Sequence, residues 1–95
     1  MNITVRELRQ MCEHLFHYLE SSEQASVDLS VDYYWDIPKQ FRYNPYQQPE
    51  ELNLGQISDD WIELNNILNG EREPTRYALV WLASILRAVG EEDYR

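Results

Sequence analysis

Cysteine is almost missing from this chain of 95 residues: Cys12 stands alone, so no internal disulfide framework can form. A lone thiol fits a reducing compartment. Glycine is scarce as well. Its three residues, at 55, 70 and 90, fall at expected loop or helix-end positions, which leaves no glycine-rich loop to cradle a phosphate. Basic residues number eight against seventeen acidic ones, a formal charge of −9. That balance repels phosphate backbones and anionic lipid, which argues against nucleic acid and membrane surfaces as partners and for a basic protein surface. Long hydrophobic runs are missing too. The longest, Tyr77 to Ala83 with a resumption at Ile85, is far short of the ~18 residues that span a bilayer. The opening Met-Asn-Ile-Thr-Val-Arg-Glu-Leu has neither the basic start nor the apolar core of a signal peptide. A soluble, cytoplasmic protein is expected.

What is present points to one folded domain over residues 1–95, because two domains would each be too small for a core of their own. Hydrophobic residues make up 43% of the chain, with three Trp, seven Tyr and two Phe, and that content argues against disorder. Thr4 and Glu7 have the spacing of a capping box, and Ile3 and Leu8 that of a hydrophobic staple. Leu8, Cys12, Leu15 and Leu19, flanked by Met11 and Phe16, recur at helical spacing. The pattern predicts a first helix over about residues 5–20.

From Ser26 to Ile37 the period changes to two: Val27, Leu29, Val31, Tyr33, Trp35 and Ile37 alternate with polar residues and Tyr34. No second segment alternates in the same way, and a lone strand has nothing to pair with. The expectation is an extended segment laid across helices. Prolines at 38, 45 and 49 then disfavour regular structure, while Phe41, Tyr43 and Tyr46 mark an ordered wrap rather than a free linker. The extended segment and loop occupy about residues 26–56.

A second helix over about 58–69 is announced by Ser58 as N-cap, Asp59 and Asp60 in the first turn, and an Ile57–Ile62 staple, with Trp61, Leu64 and Leu68 as its buried stripe. Asn69-Gly70 ends it. A third, over about 74–89, starts near Pro74, stops at Gly90, and is apolar nearly all round, as a central helix would be. The fold class expected is all-α: a compact domain of three to four helices, with a long extended, aromatic- and proline-rich wrap between helices 1 and 2.

Residues that could carry chemistry are few. His14 and His17 lie three apart on the first helix, but no further Cys or His cluster completes a metal site. Cys12 falls on the apolar stripe, where it acts as a small hydrophobe. There is no G-x-S-x-G and no H-E-x-x-H. The expectation is a non-enzymatic protein with no catalytic residues, no metal and no cofactor.

The acid, by contrast, is unevenly spread. Glu13, Glu20, Glu23, Asp28, Asp32 and Asp36 follow one another with no Lys or Arg between them, and so do Glu50, Glu51, Asp59, Asp60, Glu63 and Glu71. Such a run can be only a solvated face. Interleaved with aromatics, it is also what steers and then anchors a cationic partner. By the alternation, Tyr33 and Trp35 point inward, and Tyr34, in phase with Asp32 and Asp36, points out. The candidate partner-binding residues are therefore Glu20, Glu23, Asp28, Asp32, Tyr34 and Asp36.

Three stretches taken together carry a resemblance. They are Tyr33-Tyr34-Trp35 before the proline-rich loop, Leu54-Gly55-Gln56-Ile57-Ser58-Asp59-Asp60-Trp61 with Leu64, and the closing segment Leu82 to Gly90. Over about residues 31–90 the chain resembles the small acidic immunity proteins of bacterial contact-dependent growth inhibition and related polymorphic toxin systems. The resemblance implies a compact helical protein that neutralises one cognate toxin domain by binding it. A basic, nuclease-like toxin would suit the charge. The second reading is a non-catalytic assembly module, a homodimer that pairs the 27–37 segment across a two-fold axis.

Overall fold

The alternating segment has a mate within the chain. The structure, a computed structural model, describes residues 1–22 and 25–92. In chain order it contains α1 (Val5–Ser21), β1 (Tyr33–Asp36), α2 (Lys39–Arg42), β2 (Asn53–Gln56), α3 (Ile57–Leu68) and α4 (Ala78–Glu92). β1 and β2 pair antiparallel, Tyr33 opposite Gln56 and Trp35 opposite Leu54. The described residues thus form a mixed fold, helices with a two-stranded sheet, which corrects the all-α expectation. The reason lies in β2. Asn53, Gly55 and Gln56 have weak strand propensity and no alternation, and they form a strand because β1 offers them a ladder. Gly55 also admits the ring of Tyr34, which lies where a β-carbon at position 55 would be.

The phase of the alternation is inverted as well. Tyr33 and Trp35, expected inside, are 65% and 68% exposed, while Tyr34 and Asp36 are half-buried. Period alone does not say which side of a strand faces the core. Here the choice falls to the partners of the even-numbered residues.

α1 begins as its capping box dictates, with the Thr4 hydroxyl accepting from the Glu7 N–H at 3.1 Å. α3 is capped from a distance. It begins at Ile57, one residue before the expected start, and its N-cap residue, Gln56, makes no side-chain cap bond. Instead the Asp32 carbonyl accepts from the Ile57 N–H at 2.7 Å, and the Asp32 carboxylate accepts from the Ser58 N–H at 2.8 Å. After α3, Gly70 takes a left-handed conformation at φ 78° and turns the chain toward α4. α4 starts only at Ala78, after turns through Thr75–Tyr77, and runs on through Gly90. Proline 38 does not exclude all regular structure from the wrap, since the single turn of α2 follows it.

α3 and α4 pack against each other, and Ile57, Ile85 and Ala88 are the buried apolar residues at that seam, joined by half-buried Leu29, Tyr34, Leu64 and Val89. α4 is not the covered central helix expected of its composition: Leu79, Val80 and Leu86 are exposed. α1 has no buried residue. The accessible surface is 8635 Å², against about 5,800 Å² for a folded chain of this mass. The radius of gyration, 15.3 Å, likewise exceeds the roughly 12 Å of a close-packed chain of this length.

Candidate binding surface

Two of the candidate acidic side chains, Asp32 and Asp36, turn out to hold the fold together, and so does Asp60. Asp32 accepts from the Gln56 amide at 2.8 Å and from the Ser58 backbone N–H and hydroxyl at 2.8 and 3.0 Å. Those donors, the Gln56 amide first, hold its carboxyl below the usual carboxylate range. Asp36 accepts from the guanidinium of Arg42 at 2.6 Å, and the same guanidinium donates to the Ile37 carbonyl. Asp60 is 8% exposed and accepts from both the Tyr34 hydroxyl and the Ser84 hydroxyl, each at 2.6 Å. Burial, followed by the bond to Asp60, pushes the Tyr34 hydroxyl up to about 12.

The candidate partner-binding residues therefore divide. Glu20 and Asp28 are exposed. Among the described residues neither has a cation beside it. Glu20 and Asp32 line one groove of about 740 Å³, whose walls come from the end of α1, residues 25–32, and the facing sides of α3 and α4. Asp32, Tyr34 and Asp36 share the inward-facing side of the hairpin, where each has a structural partner. Glu23 lies outside the described residues.

The sequence reading missed the opposite side of the hairpin. Tyr33, Trp35 and Leu54 project from it, Leu54 being 68% exposed and directly across the ladder from Trp35. Next to this face, a second groove of about 860 Å³ runs between β1 and α4, with Tyr43, Leu79, Val80 and Ala83 among its lining residues. The missed signal was the company of the polar phase: a strand whose carboxylates cap a helix and bind an arginine has to turn its aromatics outward.

Around Trp81 the surface is ordered by stacking, with the Arg72 guanidinium 4.8 Å above the ring and Tyr77 edge-on at 5.8 Å. Arg72 also pairs with Glu63. His14 and His17 are exposed on α1. Among the described residues no three His, Cys, Asp or Glu side chains converge as a metal site would need. Nor, among them, is any helix long and apolar enough to cross a membrane.

No protein-family model matches the chain, and neither a curated protein nor a solved structure does.

Proposed function

We propose that the chain is a non-catalytic immunity protein that binds and neutralises a cationic, nuclease-like toxin domain in the cytoplasm. The observation that carries this reading is the outward aromatic face of the hairpin, Tyr33, Trp35 and Leu54, set in a chain of net charge −9. Large aromatic side chains on a hydrogen-bonded ladder give contact area at little cost in conformational entropy. Exposed carboxylates elsewhere on the chain, Glu20 and Asp28 among them, add to the field that draws a basic partner in. A cationic cleft built to hold phosphate would be filled by such an inhibitor in place of its substrate.

The experiment has two stages. The tagged chain is purified from its native cells at low salt and again at high salt, and the stoichiometric protein domain retained only at low salt is identified. That domain is then expressed with and without the chain. Growth arrest relieved by co-expression is the expected result. A chain that retains no basic domain, or a retained domain whose toxicity the chain does not relieve, overturns the reading.

A further inference from the structure

β1 is paired along one edge only. Neighbouring residues of a strand point to opposite faces, yet Tyr33, Tyr34, Trp35 and Asp36 all line the groove against α4, and no residue of β2 does. The groove therefore runs along the edge of β1 that faces away from β2. The ladder says which backbone groups face it. The Asp32 carbonyl accepts from the Ile57 N–H on the β2 side. By alternation, the N–H and C=O of Tyr34 and Asp36 also point to β2, and those of Tyr33 and Trp35 point into the groove. Among the described residues, no backbone group outside the sheet bonds them. The next carbonyl on this edge, that of Ile37, is taken by the Arg42 guanidinium, which closes the edge there.

We propose that this edge captures an extended segment of the partner, which adds to β1 as a third, antiparallel strand; this rests on the reading of the partner as a cationic protein. Unpaired N–H and C=O groups in a row are a template for another strand. The room suffices. A four-residue strand is about 13 Å long and takes about 4.8 Å of sheet width and about 10 Å of depth, roughly 600 Å³, where the groove has about 860 Å³.

The walls set the pattern of the segment. Its inward side chains meet Leu79, Val80 and Ala83 of α4, which calls for apolar residues, and its outward ones lie beside Tyr33 and Trp35. Charge sets its end. β1 and α4 run in opposite directions, since the Ser30 N–H donates to Glu92 while Tyr34 and Ser84 share Asp60. The start of β1 thus lies beside the last turn of α4, which holds Glu91 and Glu92, no basic residue, and the negative end of the helix dipole. The cations lining the groove, Arg42 and Arg87, are each paired, with Asp36 and Glu91. A Lys or Arg on the segment belongs at the Glu91 end. A second copy of the chain, itself carrying −9, is repelled from the same edge.

Amide exchange of the full chain, followed by NMR, tests the proposal. In the free chain the amides of Tyr33 and Trp35 should exchange faster than those of Tyr34 and Asp36. The probe is the peptide Leu-Thr-Leu-Thr-Leu-Lys, capped at both ends, with its Leu side chains toward α4 and its Lys at the Glu91 end. At millimolar concentration it should slow exchange at Tyr33 and Trp35 several-fold. The same peptide N-methylated at both Thr lacks the N–H groups that the edge carbonyls need, and should bind roughly tenfold more weakly or worse. Tyr33→Pro removes an N–H that points away from β2, so the ladder stands, but it should lose the peptide; Tyr33→Val should keep it. Three outcomes overturn the proposal: amides of Tyr33 and Trp35 that are unmoved by the peptide, protection by the N-methylated peptide equal to that by the parent, or protection that arises with chain concentration alone, as a second copy on the edge would give. In each of these, relief of growth arrest on co-expression still upholds the immunity reading, while a peptide held on the edge without such relief overturns that reading alone.

Discussion

Tyr34 donates its hydroxyl to Asp60 at 2.6 Å across 26 positions of sequence, and this bond ties the hairpin to α3. Ser84 of α4 donates to the same Asp60 oxygen. Three elements therefore meet on one carboxylate that is almost removed from water. None of the ion pairs among the described residues brings a cation to it. A buried carboxylate without a cation depends on its hydrogen-bond donors, since each missing one leaves desolvation uncompensated.

Tyr34→Phe should therefore destabilise the chain by about 1–3 kcal/mol, read as a lower midpoint in urea unfolding with the slope unchanged. The alkaline limb supplies a second readout. The Tyr34 hydroxyl of the folded chain is pushed up to about 12, while in the unfolded chain it loses its proton near the ordinary phenol value of about 10. Between those values the unfolded state has released a proton that the folded state keeps, so this contribution is intact below the lower value and falls as pH rises. Tyr34→Phe should show a shallower loss of stability over that interval. Equal slopes in the two proteins would mean that the hydroxyl is not held by Asp60.

Gly55 faces the ring of the same tyrosine. An added β-carbon would fall on Cζ of Tyr34, so Gly55→Ala has to displace the ring. The expected cost is about 1–3 kcal/mol, the range for overpacking. Moving the ring also breaks the bond to Asp60, so Gly55→Ala and Tyr34→Phe share part of their cost. Their combined effect should fall short of the sum in a double-mutant cycle, and full additivity would show that the ring stays in place.

Asp32 gives a prediction on the acid side. Its carboxyl is held below the usual range by the Gln56 amide and the Ser58 N–H. The stability it contributes is thus complete above about pH 4, the unfolded carboxylate value, and is lost as pH falls through the lower folded value. Asp32→Ala should lower the urea midpoint at neutral pH through loss of the α3 cap, and the gap from wild type should narrow on acidification. A gap that stays constant with pH would remove the carboxylate from the cap.

These contacts show what the sequence could and could not disclose. The α1 capping box is legible because Thr4 and Glu7 are three residues apart and each satisfies the other's backbone. The α3 cap is not, because Asp32 reaches it from 26 residues away, and Ser58 next to the helix start is the obvious local choice. For the same reason β2 was hidden: nothing within Asn53–Gln56 announces a strand until β1 is set beside it. Acid and aromatics in abundance were plain from the composition. Their assignment to the two sides of β1 was not, since it turns chiefly on Asp60 and the α3 terminus, each 26 residues from its partner, and on Arg42 beyond Pro38.

The same division decides how binding should be probed. Substituting Asp32 or Asp36 would mix lost folding contacts with lost partner contacts. Glu20 and Asp28, exposed and away from the described ion pairs, are the cleaner charge sites. Glu20→Gln with Asp28→Asn should slow association with the captured toxin domain, flatten its salt dependence, and leave dissociation and thermal stability nearly unchanged. Trp35→Ala should do the reverse. With 68% of the residue exposed, its removal costs the fold little. Loss of an aromatic anchor of about 2 kcal/mol or more would speed dissociation roughly thirty-fold or more. Stopped-flow association and surface-plasmon dissociation rates separate the two effects. A Trp35→Ala chain that dissociates at the wild-type rate would move the contact off the hairpin, and an unchanged on-rate in the charge variant would locate the steering carboxylates elsewhere.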